Sequence, residues 1–363
     1  MGFTVTRLLV KDFRNYEDYG LTIDSQLTVL VGPNAVGKTN LVEALEMLTE
    51  ADSFRRPAWA DLVRIGAPEA KLTLEAAEGE RHHTVELTIT AGGRRLYRVN
   101  GKAKKSVSDV SGIIPCVVFT PEDLKIVKDS AERRRAALDG IGGQLSKTYG
   151  RLRLEYERVV RQRNALLRQD DTSDDLLAPW DERLVSLGSR LVIHRRRLFD
   201  RIMEEAVEVY GDIAGDGPLE AWYVPSWDRD GTAVSDEDEA ASMERHLAAK
   251  KDDERTRRTT LTGPHRDEIV FHINGKDARA FASQGQQRSI ALAFKLAEVA
   301  VVAEVAGAKP ILLLDDVMSE LDEGRRHALA SLVGEAAQTV ISTTNLGYFS
   351  EELIARAKVV ELP

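Results

Sequence analysis

A single cysteine, Cys116, stands in the 363 residues, which excludes a disulfide framework and a cysteine-rich metal site within one chain. It lies in the apolar run 113–119 and reads as a small buried hydrophobe. No apolar run is long enough to cross a membrane. The N-terminus goes straight into strand-like sequence without the charged start and apolar stretch of a secretory signal, so a cytoplasmic location is expected. Positive charge is also in deficit: 50 Lys and Arg stand against 59 Asp and Glu, a formal net charge of -9. That balance gives no general attraction to a polyanion. There is no internal repeat and no base-reading module. What is present is length for one large or two ordinary domains, and 43% hydrophobic residues to fill a core.

The most informative stretch is Gly32-Pro33-Asn34-Ala35-Val36-Gly37-Lys38-Thr39, which fits G-x-x-x-x-G-K-[ST]. Residues 26–31 before it read as a short buried strand. After it, residues 38–50 place Leu41, Leu45 and Leu48 on one helical face. Strand, glycine loop and helix make a phosphate cradle, in which backbone N–H groups and the positive end of the helix dipole face a nucleotide's β-phosphate. Lys38 would reach the β and γ phosphates of ATP, and Thr39 would give its hydroxyl to the accompanying magnesium ion. Asn40 follows within the same cradle.

The loop does not say how phosphate energy is used, because kinases, GTPases, motors and transporters share it. Residues 311–314 are apolar and end in Asp315 and Asp316, the pattern of a buried parallel strand that delivers acids to its C-terminal edge. Asp315 is the expected magnesium partner. Asp316, one residue on, is placed to polarise the attacking water, and Lys38 and Asp316 are the expected catalytic pair.

Ser283-Gln284-Gly285-Gln286-Gln287 precedes a long helical pattern containing Ile290, Leu292, Ala293, Leu296 and Val299. Alone, Ser283 is a good helix N-cap. Beside the other motifs, the segment resembles the signature sequence of ABC-type ATPases. That resemblance implies that Ser283, Gly285 and Gln286 grip the γ-phosphate held by a second subunit. Ser319-Glu320-Leu321-Asp322 resembles the D-loop of the same superfamily.

About 240 residues separate Thr39 from Ser283, so something is inserted. Strand signals dominate residues 5–119, with turns at Gly92-Gly93 and Asn100-Gly101. Asn274-Gly275 is another hairpin signal, between residues 269–273 and 278–281. From residue 121 to about 246 the patterns are helical and rich in arginine, broken near 170–179 and 211–217. Residues 228–239 are acidic and read as a solvated loop. The expected architecture is an α/β ABC-type, SMC-like P-loop ATPase head over 1–120 and 256–363, with an inserted helical arm domain at 121–255.

These segments together resemble the RecF family of bacterial recombination mediators, in the SMC-like branch of ABC ATPases. The residues that carry the resemblance are Leu8-Leu9-Val10-Lys11-Asp12-Phe13-Arg14-Asn15-Tyr16, Ser53-Phe54-Arg55-Arg56, and Phe119-Thr120-Pro121-Glu122-Asp123-Leu124. Arg133-Arg134-Arg135 with Leu138-Asp139, Thr262-Gly263-Pro264-His265-Arg266-Asp267, and residues 314–322 complete it. It implies an ATP-dependent homodimer that binds DNA at gaps and double-strand/single-strand junctions and works with RecR and RecO to help RecA assemble. It also places Arg14, Arg55 and Arg56 near the nucleotide, although Arg55 or Arg56 would equally suit DNA.

Departures from the general ABC pattern bear on the roles. Asp316 stands where transporters use glutamate, and its shorter reach suits slow, switch-like hydrolysis. Gln284 replaces a glycine of the transporter signature. The strand end that carries a switch histidine in transporters reads Val340-Ile341-Ser342-Thr343-Thr344-Asn345, where Thr343 would hold or sense the γ-phosphate. No glutamine follows Val117-Val118-Phe119 as a Q-loop. A transporter's nucleotide-binding subunit remains the alternative, against which stand the long arginine-rich insertion and Asp316. A small-molecule kinase would not need the Ser283 segment.

Local charge departs from the sum. Residues 131–168 hold ten Lys/Arg against four Asp/Glu, a basic helical stretch able to track phosphates or to be a solvated face with pairs such as Glu157 and Arg161. Arg195-Arg196-Arg197 is a second cluster, and Lys102, Lys104 and Lys105 a third. Binding through them would be sequence-independent and salt-sensitive. His265 and Arg266 follow a turn and read as orienting or interface residues as readily as catalytic ones. His82-His83 read as surface residues rather than metal ligands.

Overall fold

Leu27–Val31 and Ile311–Asp315 have almost no polar side to give to water, and both lie buried inside one parallel sheet. The computed structural model describes residues 2–170, 172–214, 217–227 and 239–362. The chain divides into two units, Met1–Lys125 with Arg288–Pro363, and Ile126–Gln287. Among the described residues no helix is long and apolar enough to cross a membrane.

The first unit opens with β1 (Phe3–Phe13), β2 (Tyr16–Thr22), β3 (Leu27–Val31) and α1 (Lys38–Thr49). It continues through β4 (Glu69–Glu78), β5 (Arg81–Thr90), β6 (Arg95–Val99), β7 (Lys102–Ala103) and β8 (Cys116–Phe119). The second unit holds α2 (Ala131–Leu145), α3 (Lys147–Leu167), α4 (Asp174–Ala214), β9 (Leu219–Val224), α5 (Glu239–Ala249) and α6 (Lys251–Arg257). β10 (Glu268–Ile273), β11 (Lys276–Asp277) and α7 (Ala278–Phe281) follow, and α8 (Gln284–Ala306) leads the chain back. The first unit then closes with β12 (Ile311–Asp315), α9 (Glu323–Glu335), β13 (Gln338–Thr343), α10 (Glu351–Arg356) and β14 (Lys358–Glu361).

Two sheets build the first unit. Strands in the order β2-β1-β4-β5-β6-β7 form an antiparallel sheet whose inner face carries alternating residues such as Val85, Leu87 and Ile89. Strands in the order β14-β3-β13-β12-β8 form a wholly parallel one. α1 contacts strands of both, and its residues from Leu41 to Thr49 are all buried. Enclosed along this length, the helix carries two carboxylates, Glu43 and Glu46, into the interior. Cys116 is buried in β8. The Asn100-Gly101 and Asn274-Gly275 turns each have two consecutive positive φ values, as a type I′ hairpin turn requires.

The second unit includes a three-stranded sheet, β11-β10-β9. β10 pairs with β9 from Glu268 opposite Val224 to Ile273 opposite Leu219, so residues beyond the expected boundary at 255 are tied to the arm up to Gln287. The stretch after Asn274-Gly275 that suggests a strand is instead the short helix Ala278–Phe281, capped by Asp277. Residues 228–238 of the expected solvated loop lie outside the described residues. Glu239, its last member, is buried, accepts from Trp227 Nε1 at 3.0 Å and pairs with Arg196 at 2.5 Å.

Buried charge organises this unit around its helices. α3 packs Tyr149, Leu152, Tyr156 and Val159 against Leu184, Leu187 and Leu191 of α4 and Met243 and Leu247 of α5. Through that core Arg163 donates to Asp181 and Glu254, both at 2.6 Å, and to Thr260 at 3.0 Å. Arg195 grips both carboxylate oxygens of Asp139 at 2.8 and 2.7 Å and the carbonyl of Pro264 at 2.6 Å. His265 is enclosed: its Nε2 donates to the Thr260 carbonyl at 3.1 Å and its Nδ1 accepts from the Tyr156 hydroxyl at 2.6 Å. Burial drives its pKa down from 6.5 to about 4.

A histidine held neutral makes the unfolded chain the better proton acceptor below pH 6.5. Stability of the fold should therefore decline as pH falls from 6.5 towards 4, with the His265 contribution saturating at about 3 kcal/mol below its folded pKa. Denaturant melts of wild type and His265→Gln across that range should converge as pH falls; parallel curves would rule out His265 as their source.

Candidate functional site

The parallel sheet brings the candidate phosphate loop and the paired acids to one edge. Asp315 lies opposite Ser342, and Thr343 opposite Val31, so β12, β13 and β3 end side by side. Residues 32–37 leave β3 and turn into α1, with Ala35 at φ 66° and Gly37 at φ 115°. A Cβ on Gly37 would come within 2.6 Å of the Tyr16 hydroxyl and 2.8 Å of Asn15 Nδ2, and one on Gly32 within 2.8 Å of the Leu362 carbonyl. No side chain caps α1 at Gly37, which leaves the opening amides of the helix to face an anion. Pro33, Asn34 and Ala35 are exposed and Thr39 is half-buried. Lys38, almost wholly buried, folds back on the loop and donates to the carbonyls of Gly32 at 2.7 Å and Pro33 at 2.8 Å.

The loop is braced by a polar chain that only part of the sequence reading foresees. Asn15 Nδ2 donates to the Val36 carbonyl at 2.9 Å, and Asn40 Nδ2 donates to Asn15 Oδ1 at 2.7 Å. Arg55 donates to Asn40 Oδ1 at 2.7 Å. Glu43, fully buried on α1, accepts from Arg14 through both oxygens at 3.0 and 2.9 Å and from the Ser53 hydroxyl at 2.7 Å. Arg14 and Arg55 thus lie beside the loop through Glu43 and Asn40. An acid in the middle of a helix buried on all sides was the signal for Glu43, since such a carboxylate requires partners. Tyr16 walls Gly37, and burial pushes its pKa up to about 12.

At the acid end, Ser342 Oγ donates to Asp315 Oδ1 at 2.6 Å and fixes that buried carboxylate. Asp316 adopts a left-handed φ of 50° and its Oδ1 is buried without a hydrogen-bond partner. Its pKa is raised by burial and by the neighbouring Asp315 charge, and pulled back by the Lys38 ammonium and the Thr344 amide. Thr343 faces inward: it is fully buried, and its hydroxyl is bonded to the backbone of Asn345 at 3.1 and 3.2 Å. The exposed hydroxyl-bearing residue at this strand end is Thr344. Beyond Asp316, Arg288 donates to the carbonyl of Glu320 at 2.5 Å and to its carboxylate at 2.8 Å, which ties the D-loop-like segment to α8.

In the second unit, Ser283 and Gln286 make a reciprocal capping box. The Gln286 amide donates to Ser283 Oγ at 3.2 Å, and the Ser283 amide to Gln286 Oε1 at 2.8 Å. Ser283 is nonetheless exposed, and Gly285 is the second residue of α8. The basic clusters divide. Arg134 is buried on Glu268 at 2.7 Å, and Arg163 and Arg195 serve the core, so these three are interior ties rather than surface cations. Arg196 is held by Glu239. Lys102 and Lys105 are exposed.

The donor set suits a magnesium-nucleotide. No cluster of three or more His, Cys, Asp or Glu with ligand geometry occurs among the described residues. Magnesium, however, characteristically takes one or two carboxylates and completes its shell with phosphates and water. A hydroxyl at Thr39, a carboxylate aimed by Ser342 at Asp315, and the orphaned Asp316 oxygen fit that requirement.

Sequence and fold both have relatives among known proteins. The family model described as "RecF/RecN/SMC N terminal domain" matches residues 4–359. A DNA replication and repair protein RecF from Symbiobacterium thermophilum is 40% identical over 347 residues, covering 95% of this chain and 91% of the relative. One from Halalkalibacterium halodurans is 35% identical and covers 99% and 97%. A solved structure of the recombination mediator protein RecF-ATP in the RecFOR pathway superposes with a TM-score of 0.89 at 29% identity, over 96% of this chain and 94% of that one. An Smc head domain from Pyrococcus furiosus shares the fold at a TM-score of 0.54 and 17% identity, over 99% and 93%.

Because a Cβ at position 37 collides with Tyr16 and Asn15 and the backbone there is left-handed, Gly37→Ala should weaken nucleotide binding at least tenfold while leaving the thermal melt of the second unit in place. Titration with a fluorescent ATP analogue checks this, and wild-type affinity would show that the loop is not the nucleotide site.

Proposed function

The chain belongs to the RecF family, and from that premise we propose that it is an ATPase of recombinational DNA repair whose ATP-driven homodimer clamps DNA. Its fold is the α/β head of an SMC-like, ABC-type ATPase with an inserted arm. The observation that carries the reading is Asp316: a buried, unpartnered carboxylate oxygen beside Asp315 and within the field of Lys38, at the edge where the phosphate loop opens.

ATP phosphates would lie on the opening amides of α1, and Lys38 would exchange the Gly32 and Pro33 carbonyls for β and γ oxygens. Thr39 and Asp315 would hold the magnesium ion, which neutralises charge on the phosphates. Asp316 Oδ1 would accept a hydrogen bond from the attacking water and orient it. Its reach, about one methylene short of glutamate, favours the slow, DNA-stimulated turnover of a switch.

The second half of the γ-phosphate site would come from Ser283, Gly285 and Gln286 of another copy. Nucleotide then favours the closed dimer because only that state supplies both sets of contacts. Hydrolysis removes the advantage and opens the clamp. DNA at gaps and double-strand/single-strand junctions, with RecR and RecO as partners and RecA as the protein finally loaded, completes the proposal. None of the relatives or structures named above is a transporter subunit.

Lys38→Met should abolish productive nucleotide binding. Ser283→Arg should bind ATP normally yet stay monomeric, since the bulky cation sits where the second copy must approach; normal ATP-driven dimerisation would sink the composite site. Asp316→Asn should retain ATP, lose at least a hundredfold in turnover, and persist as a dimer on gapped duplex DNA, as read by mass photometry. An Asp316→Asn protein that hydrolyses at the wild-type rate would remove Asp316 from the chemistry.

A further inference from the structure

One face of α3 is left over once the core is built. Tyr149, Leu152, Tyr156, Val159, Arg163 and Leu167 form its buried side. At 100° per residue, the opposite side is the row 147, 151, 154, 158, 161, 165 and 168, a spacing of alternating four and three residues. It reads Lys147, Arg151, Leu154, Arg158, Arg161, Ala165 and, just past the helix end, Arg168, all exposed. The row contains five cations and no carboxylate over roughly 30 Å of helix. The acids nearest to it on α3 are already matched: Glu155 takes Arg183 at 2.8 Å, and Glu157 takes Arg153 at 3.7 Å and Arg161 at 4.0 Å. Lys147, Arg158 and Arg168 take part in none of the ion pairs or side-chain hydrogen bonds found among the described residues.

We propose that this row is the track on which the protein's arm holds the DNA sugar-phosphate backbone, an inference that rests on the DNA-clamping function proposed above. A repeat of three and four normally makes an apolar seam for another helix. Here Leu154 is its one large apolar residue, so a protein partner would find no apolar centre to bury. A straight line of like charges instead complements a duplex, whose phosphates place about one charge per 1.7 Å of axis. Guanidinium groups suit phosphate oxygens by fork geometry. The chain's net charge of -9 does not oppose this at contact range, because charges beyond about 10 Å are screened at ordinary salt. The row carries no base-reading geometry, so it would hold any sequence.

The test is Lys147→Ala/Arg158→Ala/Arg168→Ala in the full chain with ATP and magnesium, bound to a gapped duplex across a potassium chloride series. Each phosphate contact contributes about 0.9 to the slope of log affinity against log salt. The triple variant should therefore bind at least tenfold more weakly at low salt and lose about 2 to 3 units of slope, with ATP affinity and thermal melt unchanged. Swapping the same positions as Lys147→Arg, Arg158→Lys and Arg168→Lys should keep the wild-type slope. If wild type binds DNA and the triple variant matches it in slope and affinity, the track is wrong and the clamp stands. If wild type itself does not bind, the function above fails, and the track with it. A polyglutamate peptide that binds wild type but not the triple variant, with DNA binding untouched, would give the face to an acidic protein and overturn the proposal.

Discussion

The burial of α1 between the two sheets of the first unit is the constraint on which the rest of that unit depends. A helix enclosed on all sides cannot shift without opening both cores, so the loop at its N-terminus inherits a fixed position. Enclosure also sets terms for the polar residues it carries. Glu43 requires Arg14, Ser53 and Arg55. Glu46 accepts the Phe54 amide at 2.8 Å, and burial drives its pKa well above the usual carboxylate range. The segment 53–55 and the β1–β2 corner are thereby tied to the helix that follows the loop at residues 32–37. Residues far apart in sequence, Asn15 and Arg55, support the loop because the same helix anchors both.

The second unit solves a different problem. Its long helices carry many arginines, and three of them are taken inside and answered there by carboxylates and carbonyls. Such pairs add little net stability against apolar substitutes, but an unanswered partner is costly, so they restrict which packings the helices adopt. Arg195 joins α4 to Asp139 of α2 and to the turn at Pro264, and that turn carries the enclosed His265. The conspicuous histidine-arginine-aspartate triplet is therefore a piece of internal carpentry at His265 and Asp267, where Tyr223 and the Ser226 amide hold the carboxylate.

The parallel-sheet strands, the glycine loop that turns β3 into α1 and the acids at the end of β12 were legible because each depends on local sequence: apolar runs of strand length, glycines at forced turns, and acids at a strand's end. The Asn-Gly hairpins were legible for the same reason. What was not legible depends on partners distant in the chain. Net charge along α3 showed that cations were abundant, but only the packing separates Arg163, which faces the core, from Arg158, which does not. Thr343 looked like a ligand because it ends a strand in the right place. Every residue of β13 is buried, Thr343 included, and exposure begins only past the strand's end, at Thr344. The expected boundary at 255 put residues 256–287 with the head, yet β10 pairs with β9, a pairing that no local pattern announces.

The left-handed backbone at Asp316 bears on why this chain has an aspartate there. Among side chains with a carboxylate, aspartate tolerates that conformation best, because its short polar group satisfies itself locally, whereas a longer side chain gains nothing from it. The residue's identity is then set by two masters, the turn that ends β12 and the water it would orient. Lengthening it to recover the reach of glutamate would contend with the turn first. In evolutionary terms, a glutamate at this position calls for a change of backbone as well as of side chain, so the aspartate is protected against single substitutions.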